Sequence, residues 1–119
     1  MLSEALLRSA AEYNLLPIDY YKREEFVLRN AYITAEGALE LTMDRLKRTV
    51  KGTNCLILGY GRIGKFLARL LLNLHASVTV AARKGKDLVQ AELDGCIPCP
   101  LRDLAGCLPR CDVLYNTIP

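Results

Sequence analysis

Asn54-Cys55-Leu56-Ile57-Leu58-Gly59-Tyr60-Gly61-Arg62-Ile63-Gly64 decides how the rest of this chain is read. Its first half is an apolar run with the length of a buried strand, and it leads without a break into Gly59-x-Gly61-x-x-Gly64. Behind the glycines, Ile63, Phe66, Leu67, Leu70, Leu71 and Leu74 recur at spacings that place them on one apolar face of an amphipathic helix. Ser77 to Ala82 then offers a second strand, with Val78 and Val80 as β-branched members. Strand, glycine turn, helix and strand make one βαβ unit, the context that turns three glycines into a dinucleotide fingerprint. In that reading Gly59 permits the tight turn out of the strand, Gly61 lets the backbone approach a pyrophosphate, and Gly64 lets the helix pack close to the strand. Tyr60, Arg62 and Ile63 belong to the same loop and first helical turn, where free amide groups and the helix dipole favour negative charge.

The end of the second strand bears on which dinucleotide is held. Sites selective for NAD carry an Asp or Glu about twenty residues beyond the glycines, hydrogen-bonded to the adenosine ribose. Here the chain reads Ala82-Arg83-Lys84-Gly85-Lys86, with no acid before Asp87. The planar fork of Arg83 and the mobile charge of Lys84 suit a 2′-phosphate instead. The expected cofactor is therefore NADP(H), with NAD(H) as the alternative. One charge-assisted hydrogen bond of about 1.5 to 3 kcal/mol corresponds to a preference of roughly tenfold to a hundredfold.

Outward from this unit, Leu2 to Tyr13 reads as an amphipathic helix and Leu15 to Tyr21 as a short, strand-like run. Thr34 is the expected N-cap of a helix over Ala35 to Val50, with Ala35, Ala38, Leu39, Thr42, Met43 and Leu46 on one face. Lys51-Gly52-Thr53 breaks that helix and delivers the chain to the first strand. Gly85 to Leu93 is expected to be helical, Cys96 to Cys99 a third strand, Leu101 to Leu108 a helical turn or two, and Asp112 to Ile118 a fourth strand.

The fold class that follows is α/β, a Rossmann-like three-layer αβα arrangement with a parallel sheet, holding the first half of a doubly wound fold. Residues 1–33 read as the tail of an N-terminal substrate domain, 34–50 as a crossover helix, and 51–119 as the dinucleotide domain. Asn116, Thr117, Ile118 and Pro119 stand at the end of the fourth strand, where open α/β sheets place ligands, and are assigned to the nicotinamide ribose side. The expectation is a piece of a longer enzyme, and no catalytic residue is named within it. Thr34 and Glu36 could approach a substrate at the domain junction, although capping and first-turn charge explain both equally well.

Composition excludes several other functions. A chain of 119 residues with 51% hydrophobic content can build a core. No apolar run approaches the roughly 18 residues of a membrane span, and no signal peptide opens the chain, so a cytoplasmic protein is expected. The net charge of +3 is spread rather than gathered into a stripe, which argues against nucleic acid as a partner. Cys96-x-x-Cys99 and Cys107-x-x-x-Cys111 admit a zinc reading, but their places in short strands and turns fit small hydrophobes better, and no metal is expected. His75, at the end of the glycine-turn helix, suits the negative end of the helix dipole rather than a general base. A bare fourth strand beside the crossover helix makes homo-oligomerisation the expected assembly.

Thr34-Ala35-Glu36-Gly37-Ala38, Lys51-Gly52-Thr53-Asn54, the glycine turn, Ala81-Ala82-Arg83 and Asp112 to Pro119 together resemble the dipicolinate synthase A-subunit family, in order from about Leu15 to the end. The resemblance implies an enzyme of spore-forming bacteria. It would oxidise dihydrodipicolinate, a small dicarboxylate, to the aromatic dipicolinate, with hydride passing to NADP, and would work with a second, flavoprotein-like subunit. Cys96, Cys99 and His75 depart from that family's pattern without touching the proposed phosphate contacts. Adenosylhomocysteine hydrolase is also similar at the glycine turn, but carries an acid where Arg83 stands. Shikimate dehydrogenase, D-2-hydroxyacid dehydrogenases and a non-catalytic NADP(H)-binding regulatory module are the alternatives.

Overall fold

In the computed structural model, which describes residues 2–119, the chain forms α1 (Glu4–Glu12), α2 (Glu24–Arg45), β1 (Asn54–Leu58), α3 (Arg62–Asn73), β2 (Ser77–Ala82), α4 (Gly85–Leu93), β3 (Ile97–Pro100), α5 (Leu104–Cys107) and β4 (Val113–Asn116). The four strands make one parallel sheet in the order β3-β2-β1-β4. The chain thus winds outward from β1 through β2 to β3, then crosses to the other side of β1. That reversal opens a crevice at the carboxyl ends of β1 and β4, the place where open α/β sheets hold ligands. Leu58 is in register with both Ala81 and Asn116, so the segments leaving β1, β2 and β4 emerge at one sheet edge.

Alternation along the strands divides the core into two. Cys55 and Ile57 of β1, Val78 and Val80 of β2, and Tyr115 of β4 pack with Leu67, Ala68 and Leu71 of α3, Ala35 of α2 and Ala91 of α4. Leu56, Ala81 and Cys99 form the opposite face, covered by Leu101, Leu104, Cys107 and Cys111. Only short helical turns cross this second face, because 101–110 holds the four-residue α5 between two 3-10 turns. Pro98 and Pro100 are accommodated because β3 is an edge strand.

Residues up to Asn30 and from Ala31 onward are two compact units, each with its own contacts. In the first, Ser3 caps α1, Asp19 accepts from the Leu2 amide at 3.0 Å, and Tyr20 packs edge-on to Phe26 at 5.1 Å. None of residues 2–30 is buried, so the apolar face of α1 stays open, with Leu6 and Tyr13 exposed. Leu15 to Tyr21 is not a strand: its end turns into a 3-10 helix over Tyr20–Lys22, which Asp19 opens by accepting from the Tyr21 amide.

The largest correction concerns α2. It begins at Glu24, ten residues before Thr34, and ends at Arg45 rather than Val50. Thr34 is therefore an interior residue and not a cap; the first-turn acids are Glu24 and Glu25, not Glu36. With neither Gly nor Pro between Glu24 and Glu36, nothing local stops the helix from extending toward the N-terminus. Met43 turns out to solvent, while Thr42 is buried and shares a 2.8 Å hydrogen bond with the Tyr115 hydroxyl. Burial pushes the Tyr115 phenol up to about 12, so the pair stays neutral and ties α2 to β4.

At the end of α3, His75 occupies the left-handed region at φ 64°, with its amide bonded to Leu72 and that of Ala76 to Leu71. This is the Schellman arrangement, with histidine in the position that glycine usually takes.

Candidate cofactor site

The site starts from the steric demands of β1's exit. Gly59 has φ 92°, and a Cβ there would lie 2.9 Å from Thr117 Oγ1. A Cβ on Gly64 would meet the Gly59 carbonyl oxygen at 2.6 Å, so α3 approaches the turn as closely as it does only because that atom is missing. Gly61 differs from both. A Cβ there would meet nothing within 4 Å, so the protein's own packing does not call for glycine. What its hydrogen preserves is open space beside the backbone at the start of α3.

Gly61 is also the N-cap of α3, and it offers no side-chain cap; no acid stands in the helix's first turn. The first amides of a helix have no partner within the helix, and an anion satisfies them. A pyrophosphate fits the cradle that Gly61 leaves open, and the residues present are of the kind that would hold it.

The other two predicted segments reach the same edge. Ala82 is buried at the end of β2, and the Gly59 amide donates to the Ala81 carbonyl at 2.8 Å, which brings Arg83 and Lys84 beside the glycine turn. Both cations are exposed, and Lys84 is the N-cap of α4 with no capping hydrogen bond from its side chain. Among the described residues neither takes part in a salt bridge. From β4, the Thr117 amide donates to the Leu58 carbonyl at 3.0 Å, and its hydroxyl donates to the same carbonyl at 2.7 Å. Asn116 Oδ1 accepts from the Ile118 amide at 3.0 Å, and Pro119 lies exposed beyond it.

The family described as "D-isomer specific 2-hydroxyacid dehydrogenase, NAD binding domain" matches residues 25–119. The chain belongs to that family. It is 29% identical over 119 residues to the dipicolinate synthase A-subunit of Bacillus subtilis (strain 168), covering 99% of this chain and 40% of that protein. The solved dipicolinate synthase A-subunit of Bacillus halodurans matches with a TM-score of 0.88 at 29% identity, over 100% of this chain and 41% of its own. CAD from Helicobacter pylori, solved in complex with NADP(H), matches with a TM-score of 0.63 at 26% identity, over 75% of this chain and 24% of its own. The chain thus spans about 40% of the length of the dipicolinate synthase relatives it matches. No helix among the described residues is long and apolar enough to cross a membrane.

Within this D-2-hydroxyacid dehydrogenase type of domain, not every residue of the glycine segment faces the cradle. The Tyr60 ring is buried, and its hydroxyl donates to the exposed Asp94 at 2.5 Å, while Nζ of the exposed Lys65 sits 5.8 Å from its centroid. Burial, and then the Asp94 bond, raise its phenol above the usual range, while the same bond leads in holding the Asp94 carboxyl below its own. Only the Tyr60 backbone is left for a phosphate. Arg62 is exposed in the first turn of α3, and Ile63 is half-buried there. Thr34 and Glu36 are exposed on the middle turns of α2.

The residue whose role the sequence concealed is Thr117. Its hydroxyl holds the carbonyl before the glycine turn, with a longer approach of 3.5 Å to that of Gly59, so it shapes the cradle from the neighbouring strand. Nothing in the local pattern points to this, since the bond spans 59 positions of sequence.

Proposed function

We propose that this chain is the cofactor-binding part of an NADP-dependent oxidoreductase, and that the whole protein oxidises dihydrodipicolinate to dipicolinate. The observation that carries the cofactor choice is the exposed pair Arg83 and Lys84 beside the glycine turn, with no acid before Asp87. CAD from Helicobacter pylori, solved with NADP(H), supports the same choice. The substrate rests on the likeness to the dipicolinate synthase A-subunit, which runs through 99% of the chain.

In this reading the amides at the start of α3 hold the pyrophosphate, Arg83 and Lys84 hold the 2′-phosphate, and Asn116 to Pro119 line the nicotinamide ribose side. The bound nicotinamide supplies the hydride chemistry; the chain's task is to orient it. Thr34 and Glu36 are assigned to the substrate side. The proposed partners are further copies of the same protein, in a homo-oligomer, together with a second, flavoprotein-like subunit. A D-2-hydroxyacid dehydrogenase using NAD is the second reading, favoured by the family's description as an NAD binding domain.

Calorimetric titration with NADPH and NADH at low and moderate salt tests the proposal. Tighter NADPH binding by about tenfold or more, weakening as salt rises, is the expected result. Preference for NADH would remove the 2′-phosphate contact and move the assay of the whole protein from dihydrodipicolinate to 2-hydroxy acids.

A further inference from the structure

The five cysteines do not associate as their spacing suggests. Cys96 packs on the α3 face of the sheet and Cys99 on the opposite face, because three positions along an extended segment reverse the side of the side chain. Cys55 is buried with Cys96's face, and Cys111 directs its sulfur at the Val113 carbonyl, 3.1 Å away. One pair is in contact: Cys99 Sγ of β3 and Cys107 Sγ, at the end of α5, are 2.8 Å apart. Both are free thiols, and among the described residues no third ligand joins them in a metal-binding group.

We infer that Cys99 and Cys107 are a redox-active dithiol that closes to an intrachain disulfide by exchange with a low-molecular-weight disulfide such as oxidised glutathione. Their exposure sets the order of events. Cys107 is half-buried and, with Cys111, lines a small cavity of about 180 Å³, whereas Cys99 is buried, so of the contacting pair Cys107 meets the oxidant first. Its thiolate attacks one sulfur of the oxidant, forming a mixed disulfide and releasing the first small thiol. Cys99 then loses its proton to solvent and attacks the Cys107 sulfur, releasing the second. Two protein thiols are oxidised and one small disulfide is reduced to two thiols, so atoms and electrons balance. Burial pushes the Cys99 thiol up to about 11, so little of it is thiolate near neutral pH and the second exchange is the slow step.

The bond would pin α5 to β3 immediately before Pro100, which is in register with Ala82.

The test is to incubate the 119-residue chain with oxidised glutathione, alkylate the remaining thiols, and map the non-reduced peptides. The expected product is lighter by two hydrogens, carries one Cys99 to Cys107 cross-link, and reverts with dithiothreitol. C107S abolishes the cross-link and C111S keeps it. In the chain-entropy account, closing so short a loop raises Tm by about 10 °C. A glutathione adduct that persists on Cys107, a link from Cys107 to Cys111, or five thiols that all still alkylate would each overturn the inference. The peptide map of the unsubstituted chain decides this even where a serine variant fails to fold.

Discussion

The glycine turn and the basic turn lie side by side at one sheet edge, yet opposite physics shapes them. Gly59 and Gly64 are where they are because an added Cβ would strike atoms at 2.9 and 2.6 Å. Arg83 and Lys84 stand exposed in solvent, and what the proposed site asks of them is charge and charge-assisted hydrogen bonding rather than packing. A steric requirement is unforgiving and acts on fold and binding together, whereas an electrostatic one acts on binding alone and fades with salt.

Substitutions separate the two. The largest effect is expected from Gly64→Ala, where overpacking against a backbone carbonyl should cost about 3 kcal/mol and impair NADPH binding as well. Urea unfolding checks it, and a variant of unchanged midpoint would show that α3 can withdraw from the turn freely. Gly61→Ala sharpens the contrast within the turn. Its Cβ meets no protein atom, so stability should hold while NADPH affinity falls by about tenfold or more, as for a group pushed into a ligand's space.

Arg83→Ala should leave unfolding within about 0.5 kcal/mol of the parent and lower the NADPH to NADH affinity ratio by about tenfold. An unchanged ratio in calorimetry would assign the 2′-phosphate elsewhere. Thr117→Val removes the hydroxyl that donates to the Leu58 carbonyl and should cost about 1 kcal/mol in thermal unfolding, with weaker NADPH binding from a looser cradle. No loss in either would mean that the amide of Thr117 suffices. The smallest effect is His75→Gly, which relieves a left-handed residue remote from the ligand and should gain about 0.5 kcal/mol after glycine's entropy in the unfolded chain is counted. A Tm that falls would show that the imidazole's interaction with the end of α3 outweighs the strain.

The same contrast explains what could be read in advance. β1, α3, β2 and α4 lie where periodicity and glycine spacing put them, because each is specified by neighbours within a few positions. The start of α2 escaped that reading: Thr34 looks like a cap, but a hydroxyl residue inside an uninterrupted helix carries no stop signal. Fourth-strand length was overestimated for a related reason. Thr117 and Ile118 have strand-forming side chains, yet the Asn116 side chain takes the Ile118 amide into a turn.

By itself the sequence determined a βαβ unit with a glycine turn followed by a basic turn, since strand period, helix period and the need for missing side chains are all local properties. Only the tertiary structure decided that the Tyr60 hydroxyl meets Asp94, that Thr117 clamps the turn, that Thr42 meets Tyr115, and that Cys99 meets Cys107 rather than Cys96. Those partners lie 34, 59, 73 and 8 positions apart. Strand order and register choose them, and register arises from the packing of the whole sheet rather than from any single stretch of chain.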